Sequence, residues 1–301
     1  MPNLNASLCF LAPLPKYKQE KPYRIIPGAD EAFDHEISNV VPDIQDGIQI
    51  VDIRDRLGDF NIEDNGFEVL SHTTSFPILD ERSQVDAYKS EVEQLLKERL
   101  AAEKVIVFDF RVRQIQYPQV ISTDDVLQHR IHREFEKGVV VDYNDPTTKE
   151  GPAIMAHSDH TLDSGTVVIN SWLSEEDKTK YLTGEWRIRL MNTWRPLVAV
   201  IEDQPLALCD PRTVAPEDLF ACDRVVVNKL GEVYLMRYDP RQRWYWLSSQ
   251  KTSEPYVFLT WDSKSEGQPR LCPHTSFAVP VAPDVPPRES VETRSIVISR
   301  A

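Results

Sequence analysis

From Val139 to the C-terminus the chain reads as one β-strand after another, and that run constrains the fold more than any other feature of the sequence. VVVDY (139–143), AIMAHSD (153–159), TVVINSWL (166–173), WRIRLMN (186–192), LVAVIED (197–203), RVVVNK (224–229), VYLMRYD (233–239), RWYWLSS (243–249), YVFLTWD (256–262) and VETRSIVIS (291–299) are short and rich in β-branched and aromatic residues. Prolines, glycines and Asn/Asp pairs separate them, and VVVNKLGEVYLMRY has the pattern of a hairpin turning near Lys229, Leu230 and Gly231. Such a train predicts a closed or double-sheet β architecture. Pro280–Pro287 (PVAPDVPP) reads as a stiff surface connection before the last strand.

The first 137 residues differ. Residues 1–40 are Pro-rich and irregular, GIQIVDIR (47–54) alternates as an outer strand would, and VIVFDF (105–110) reads as a buried strand. Val85, Tyr88, Val92, Leu95, Leu96 and Leu100 recur at helical spacing behind a capping-box-like Ser83 to Asp86. A second helix is expected over Asp124–Lys137, where Leu127, Ile131 and Phe135 repeat at i, i+4, and no helix is expected beyond it. The reading is therefore one domain over 1–301, mainly β with flanking helices: an extension over 1–137 and a strand-rich core over 138–301.

The formal net charge of −14 repels phosphate backbones, and no Lys/Arg cluster offsets it, which argues against nucleic acid as a partner. The N-terminus lacks a basic region ahead of its apolar residues, so no signal peptide is expected, and no apolar run of roughly 20 residues predicts a membrane span. The scattered Cys9, Cys209, Cys222 and Cys272 form no CxxC, which disfavours a zinc ribbon or disulfide framework and fits a reducing cytoplasm. The oligomeric state stays open, a homodimer included.

AHSDH (156–160) carries the chemistry. Alternate residues of a strand share a face, so His157 and Asp159 point one way and Ser158 and His160 the other. One further imidazole would complete a two-His, one-carboxylate triad with three open coordination positions. HxD alone is a common chance triplet. His274, in CPHTSF, is the only other histidine beyond it apart from His160. His35 and His72 precede the strand-rich region, and His129 and His132, at i, i+3, fit a solvated helix face better than a metal site. Fourteen residues past His274, Arg288 and Ser290 share a face if the last strand has begun there, and a guanidinium with a hydroxyl can clamp a carboxylate. The alternative for Arg288 and Arg294 is surface charge on an edge strand. Arg195, between Trp194 and Pro196, needs an anionic partner if it is buried, either a structural carboxylate or a substrate or cosubstrate. Trp194, Trp244, Tyr245 and Trp246 are pocket candidates whose commoner role is core packing.

Taken together, AHSDHT (156–161), NTWRPL (192–197), PLALCD (205–210), GEVYLMRYDPRQRWYW (231–246), PHTSF (273–277) and PPRES (286–290), with VDIRDR (51–56) and the EVEQLL helix, resemble the asaB-type hydroxylase/desaturases. That group includes gibberellin desaturase-like proteins and the cephamycin 7α-methoxylation component. The resemblance implies a double-stranded β-helix (jelly-roll, cupin-like) core and a non-haem oxygenase that uses Fe(II), 2-oxoglutarate and dioxygen to hydroxylate, desaturate or rearrange a small natural-product intermediate. It further implies His157, Asp159 and His274 as metal ligands, and Arg288 with Ser290 as the anchor for the cosubstrate's distal carboxylate. The interval between the two histidines is longer than the commoner oxygenase pattern. Two other readings remain at this point: a cupin-like isomerase or binding protein with a Lewis-acid metal such as zinc, and a non-catalytic partner subunit.

Overall fold

The computed structural model describes residues 3–26, 37–114, 149–226, 229–265, 270–279 and 285–301. Among them run β1 (Leu4–Leu11), β2 (Tyr23–Ile26), β3 (Pro42–Asp52), β4 (Phe67–Val69), β5 (Lys104–Gln114), β6 (Lys149–Glu150), β7 (His157–Ser158) and β8 (Trp186–Pro196). They continue as β9 (Leu206–Cys209), β10 (Leu219–Val226), β11 (Lys229–Met236), β12 (Trp244–Trp246), β13 (Tyr256–Asp262), β14 (His274–Ser276) and β15 (Glu289–Arg300). Four α-helices accompany them: α1 (Ile62–Asn65), α2 (Arg82–Arg99), α3 (Leu162–Trp172) and α4 (Glu175–Tyr181).

The strands form two sheets, one of nine strands in the order β1-β3-β12-β9-β14-β7-β11-β10-β2 and one of six in the order β4-β13-β8-β15-β5-β6. This is the expected jelly-roll, mainly β with flanking helices. The larger sheet curls until β1 meets the residues before β7, where Ala156 N donates to Cys9 O at 2.8 Å and Cys9 bridges Met155. Between the sheets, Trp194, Tyr256 and Phe258 pack on Leu206, Leu208 and Cys272. The opposite face of the six-stranded sheet is covered by α2, whose Val85, Tyr88, Val92 and Leu96 are fully buried. Each such side chain contributes about 1.5–3 kcal/mol on burial, enough to dock the helix. Its cap lies two residues upstream of the expected one: Gln84 Oε1 accepts from Glu81 N at 3.0 Å, and Ser83 falls inside the first turn.

GIQIVDIR alternates as predicted, with Ile48 and Ile50 buried and Gln49 exposed. Other expectations need correction. TVVINSWL is not a strand but most of α3, and α4 follows, so helices do not stop at residue 137. Thr161 sets the start of α3 by a capping box, its hydroxyl accepting from Ser164 N at 3.0 Å while Ser164 Oγ accepts from Thr161 N at 2.9 Å, and this local chemistry outweighs the β-branched residues. LVAVIED is irregular except for a bridge from Val200 to Lys251, whereas LALC (206–209) is a strand. AIMAHSD is extended strand only over His157–Ser158. The hairpin pairs Val226 with Lys229 and Val225 with Leu230, so Lys229, Leu230 and Gly231 belong to β11 rather than to its turn. The final strand is no edge: β15 lies between β8 and β5. The expected helix over Asp124–Lys137, VVVDY, and most of PVAPDVPP lie outside the described residues.

Candidate active site

β7 and β14 are antiparallel neighbours with His157 directly opposite His274, so the two rings share a face, their centroids 4.3 Å apart. Asp159 follows one residue after β7. One ligand atom from each of His157, Asp159 and His274 lies within 4.8 Å of the others. From Asp159, Oδ1 is 3.8 Å from His157 Nε2, and Oδ2 is 4.0 Å from His274 Nε2. Each imidazole donates from Nδ1 to the carbonyl two residues before it, His157 to Met155 O at 2.7 Å and His274 to Cys272 O at 3.2 Å. A carbonyl can only accept, so Nδ1 carries the proton and Nε2 turns its lone pair toward the common centre.

Protonation suits a cation. Burial, reinforced by the imidazole of His274, pushes His157 down to about 4, and burial lowers His274 as well. Burial alone would raise Asp159, but the Arg294 guanidinium and then the two imidazoles hold it well below the ordinary carboxylate range. Two neutral imidazoles and an ionised carboxylate form the donor set a divalent transition metal requires, and these residues fit ferrous iron.

The six-stranded sheet supplies the surroundings of Asp159. Cross-strand partners share a face, and the register sets Asp109 of β5, Arg294 of β15 and Asn192 of β8 in one row on the side turned toward Asp159. Arg294 grips Asp159 at two points, Nη2 to Oδ1 at 2.8 Å and Nε to Oδ2 at 3.1 Å, and Asn192 Nδ2 also donates to Oδ2. Behind it, Arg294 donates to Asp109 at 2.8 Å and to Glu292 at 2.9 Å. Arg111 and Arg113 extend the network to Glu150. Sequence reasoning weighed Arg294 as surface charge, yet it is only 9% exposed. The signal was the alternation itself, since Ser290, Glu292 and Arg294 put polar groups on one face of a strand that is central in its sheet.

Arg288, 1% exposed, lies in the same space between the sheets. Its guanidinium donates to Ser276 Oγ at 2.9 Å, to Gln204 O at 2.8 Å and to Ser290 Oγ at 3.2 Å. Ser276 is two residues beyond His274 on the same face of β14, a separation of about 7 Å along a strand. The guanidinium sits 5.1 Å from the Trp194 ring, whose buried Nε1 has no hydrogen-bond partner among the described residues.

Arg195 goes elsewhere. It is fully buried on the α2 side of β8, opposite the face that carries Asn192 and Trp194, and donates to Tyr88 Oη, His72 O, Thr252 O and His72 Nδ1. Neutral oxygens and a ring nitrogen, rather than an anion, satisfy its fork, and the structure does not bring Arg195 to the site. His160 turns to Thr260 Oγ1 at 3.1 Å. Trp244 and Trp246 pack on Phe10 and Phe277, in a cluster that contains none of His157, Asp159 and His274, and Tyr245 packs on Phe60. His35, His129 and His132 lie outside the described residues.

Fold, donor set and relatives together define a non-haem iron(II), 2-oxoglutarate-dependent dioxygenase. The chain belongs to the family described as oxidoreductase/YMDC permease-like domain, whose family model matches residues 8–298. No helix among the described residues is long and apolar enough to cross a membrane. It is 29% identical over 261 residues to the hydroxylase/desaturase efuI of Hormonema carpetanum, covering 83% of this chain and 82% of the relative. It is also 28% identical over 302 residues, 97% of this chain and 95% of the relative, to the Fe(II)/2-oxoglutarate-dependent dioxygenase nvfI of Aspergillus novofumigatus. A solved structure of the iron and alpha-ketoglutarate-dependent endoperoxidase NvfI superposes with a TM-score of 0.77 at 24% identity, over 100% of this chain and 99% of that one. The resemblance read from the sequence motifs to hydroxylase/desaturases stands.

Proposed function

We propose that His157, Asp159 and His274 hold the iron and that Arg288 with Ser290 binds the distal carboxylate of 2-oxoglutarate, one unit over 1–301 oxidising a natural-product intermediate. The observation that carries this reading is the direct pairing of His157 with His274 on neighbouring strands, which sets both Nε2 atoms against Asp159. Ferrous iron with 2-oxoglutarate and dioxygen supplies the oxidising power, the keto acid leaving as succinate and carbon dioxide. The chain's own residues do the rest. The two carbonyl-bound imidazoles and the clamped carboxylate are oriented before metal arrives, so little is lost in ordering them. Arg288, held by Ser276, Ser290 and Gln204, offers a fixed cation one pleat from His274, and the packed apolar layer around Trp194 and Phe258 keeps bulk water away. In support of a single unit over 1–301, strands from before residue 138 sit in both sheets. Four buried free cysteines support a cytoplasmic location.

Relatives carry hydroxylase, desaturase and endoperoxidase names, so one reactive centre serves different outcomes and the substrate's pose decides among them. The test is succinate release with iron and a panel of natural-product intermediates. His157→Ala should abolish both Fe(II) binding and succinate release. Arg288→Ala should leave Fe(II) binding intact and raise the KM for 2-oxoglutarate by about 30- to 100-fold, the loss of one charge-assisted clamp. Iron-independent turnover, or no keto-acid consumption with any substrate, would replace this reading with the Lewis-acid cupin or the inactive subunit.

A further inference from the structure

We infer that Arg294 and Asn192 are positioning residues that limit Asp159 to a single donor oxygen, Oδ1, and thereby fix how many coordination positions the iron keeps open. This rests on the reading that His157, Asp159 and His274 hold the metal. Both carboxylate oxygens face the imidazoles, Oδ1 at 3.8 Å from His157 Nε2 and Oδ2 at 4.0 Å from His274 Nε2, so distance alone would let Asp159 chelate through both. Hydrogen-bond capacity breaks the tie. A carboxylate oxygen has two lone pairs in its plane. Oδ2 spends both, on Arg294 Nε and Asn192 Nδ2, while among the described residues Oδ1 accepts only from Arg294 Nη2, which leaves one for a metal. The count has a chemical consequence. A single Asp159 oxygen would leave a bound ferrous ion room for both the two-point keto-acid end of 2-oxoglutarate and dioxygen, whereas chelation through both oxygens would take up part of that room.

The sheet makes the restriction rigid. Asp109, Arg294 and Asn192 occupy directly opposed positions on β5, β15 and β8, and Asp109 and Glu292 hold the guanidinium from behind at 2.8 and 2.9 Å. Arg294 cannot swing off Asp159 without abandoning two other carboxylates. A lysine would preserve the charge and could balance these acids, but its point-like ammonium lacks the planar fork that engages both Asp159 oxygens. That difference separates positioning from simple charge balance.

The test uses the full-length protein, loaded anaerobically with Fe(II) and titrated with 2-oxoglutarate, following the visible charge-transfer absorption of the ferrous keto-acid chelate. Arg294→Lys should bind Fe(II) about 10- to 100-fold more weakly, the usual range for partners of metal ligands. Once iron-loaded, it should also bind 2-oxoglutarate at least about tenfold more weakly, with a shifted absorption band. Asn192→Ala, which removes no charge, should fall near the tenfold end in the same two measurements and decides the matter if the lysine variant does not fold. Wild-type affinity and band shape in a folded Arg294→Lys, or in Asn192→Ala where that variant decides, would overturn the inference. Failure of the wild type to bind Fe(II), or undiminished binding by His157→Ala, would instead overturn the metal assignment on which it rests.

Discussion

At His157, two demands meet in one ring: the imidazole must be neutral to offer Nε2, and it must keep its proton on Nδ1 for Met155 O. Burial and the neighbouring imidazole lower it to about 4 from an ordinary value near 6.5, so the unfolded chain binds the proton more readily than the native one. Unfolding therefore takes up a proton as pH drops below 6.5, and metal-free native protein loses stability from there down to about 4. The contribution is on the order of 3 kcal/mol. Urea denaturation of metal-free wild type and His157→Gln across that window checks it: the wild-type curve should fall more steeply with acid, and parallel curves would contradict the assignment. At this scale the pairing of His157 with Asp159 was legible because HxD on alternating positions is a local pattern. The environment of Asp159 was not, since Arg294 and Asn192 reach it from strands 135 and 33 residues away in sequence. Arg195 misled for the opposite reason: whether a buried guanidinium meets an anion or a set of carbonyls depends on which face of β8 it occupies.

Among the elements, α3 shows where composition and local chemistry part. TVVINSWL has the residues of a strand, but Thr161 and Ser164 cap a helix, and Gly165 lets that helix lie directly on β13. A Cβ at Gly165 would sit 2.3 Å from Cδ1 of Trp261, whose indole Nε1 donates to Leu162 O at 3.0 Å. Gly165→Ala gains helix propensity of about 1 kcal/mol, yet overpacking of this kind costs about 1–3 kcal/mol and displaces the helix that follows Asp159 directly. The expected outcome is a folded protein with unchanged or lower stability and weaker Fe(II) binding, measured by thermal melting and by metal titration. Helix α2 was legible apart from its cap, because one stripe of four fully buried residues at helical spacing needs no distant partner to be recognised. β15 was legible as a strand, but whether Arg288 and Arg294 lay on an edge or inside the sheet was not, because neighbours in a sheet are set by pairing that sequence order does not encode.

For the molecule as a whole, a closed or double-sheet β architecture was readable from the train of short strands and its jelly-roll form from the family resemblance, while the order β1-β3-β12-β9-β14-β7-β11-β10-β2 was not, since most of its pairings join segments far apart in the chain. That order is what seats His157 beside His274. A metal that binds only the folded state stabilises it by about 2.7 kcal/mol at a hundredfold excess over its Kd. Anaerobic Fe(II), or Mn(II) as a redox-quiet substitute, should raise the Tm by about 5 °C, and a chelator should reverse it. A Tm indifferent to metal, at concentrations where titration shows the site filled, would contradict a site built only on folding. The two imidazoles project from the nine-stranded sheet, whereas the groups that aim the carboxylate project from the six-stranded one. The ion would therefore act as a rivet through both layers, and iron occupancy becomes a gauge of their alignment. Substitutions far from the rivet that let one layer creep past the other should first yield well-folded protein that purifies with little iron.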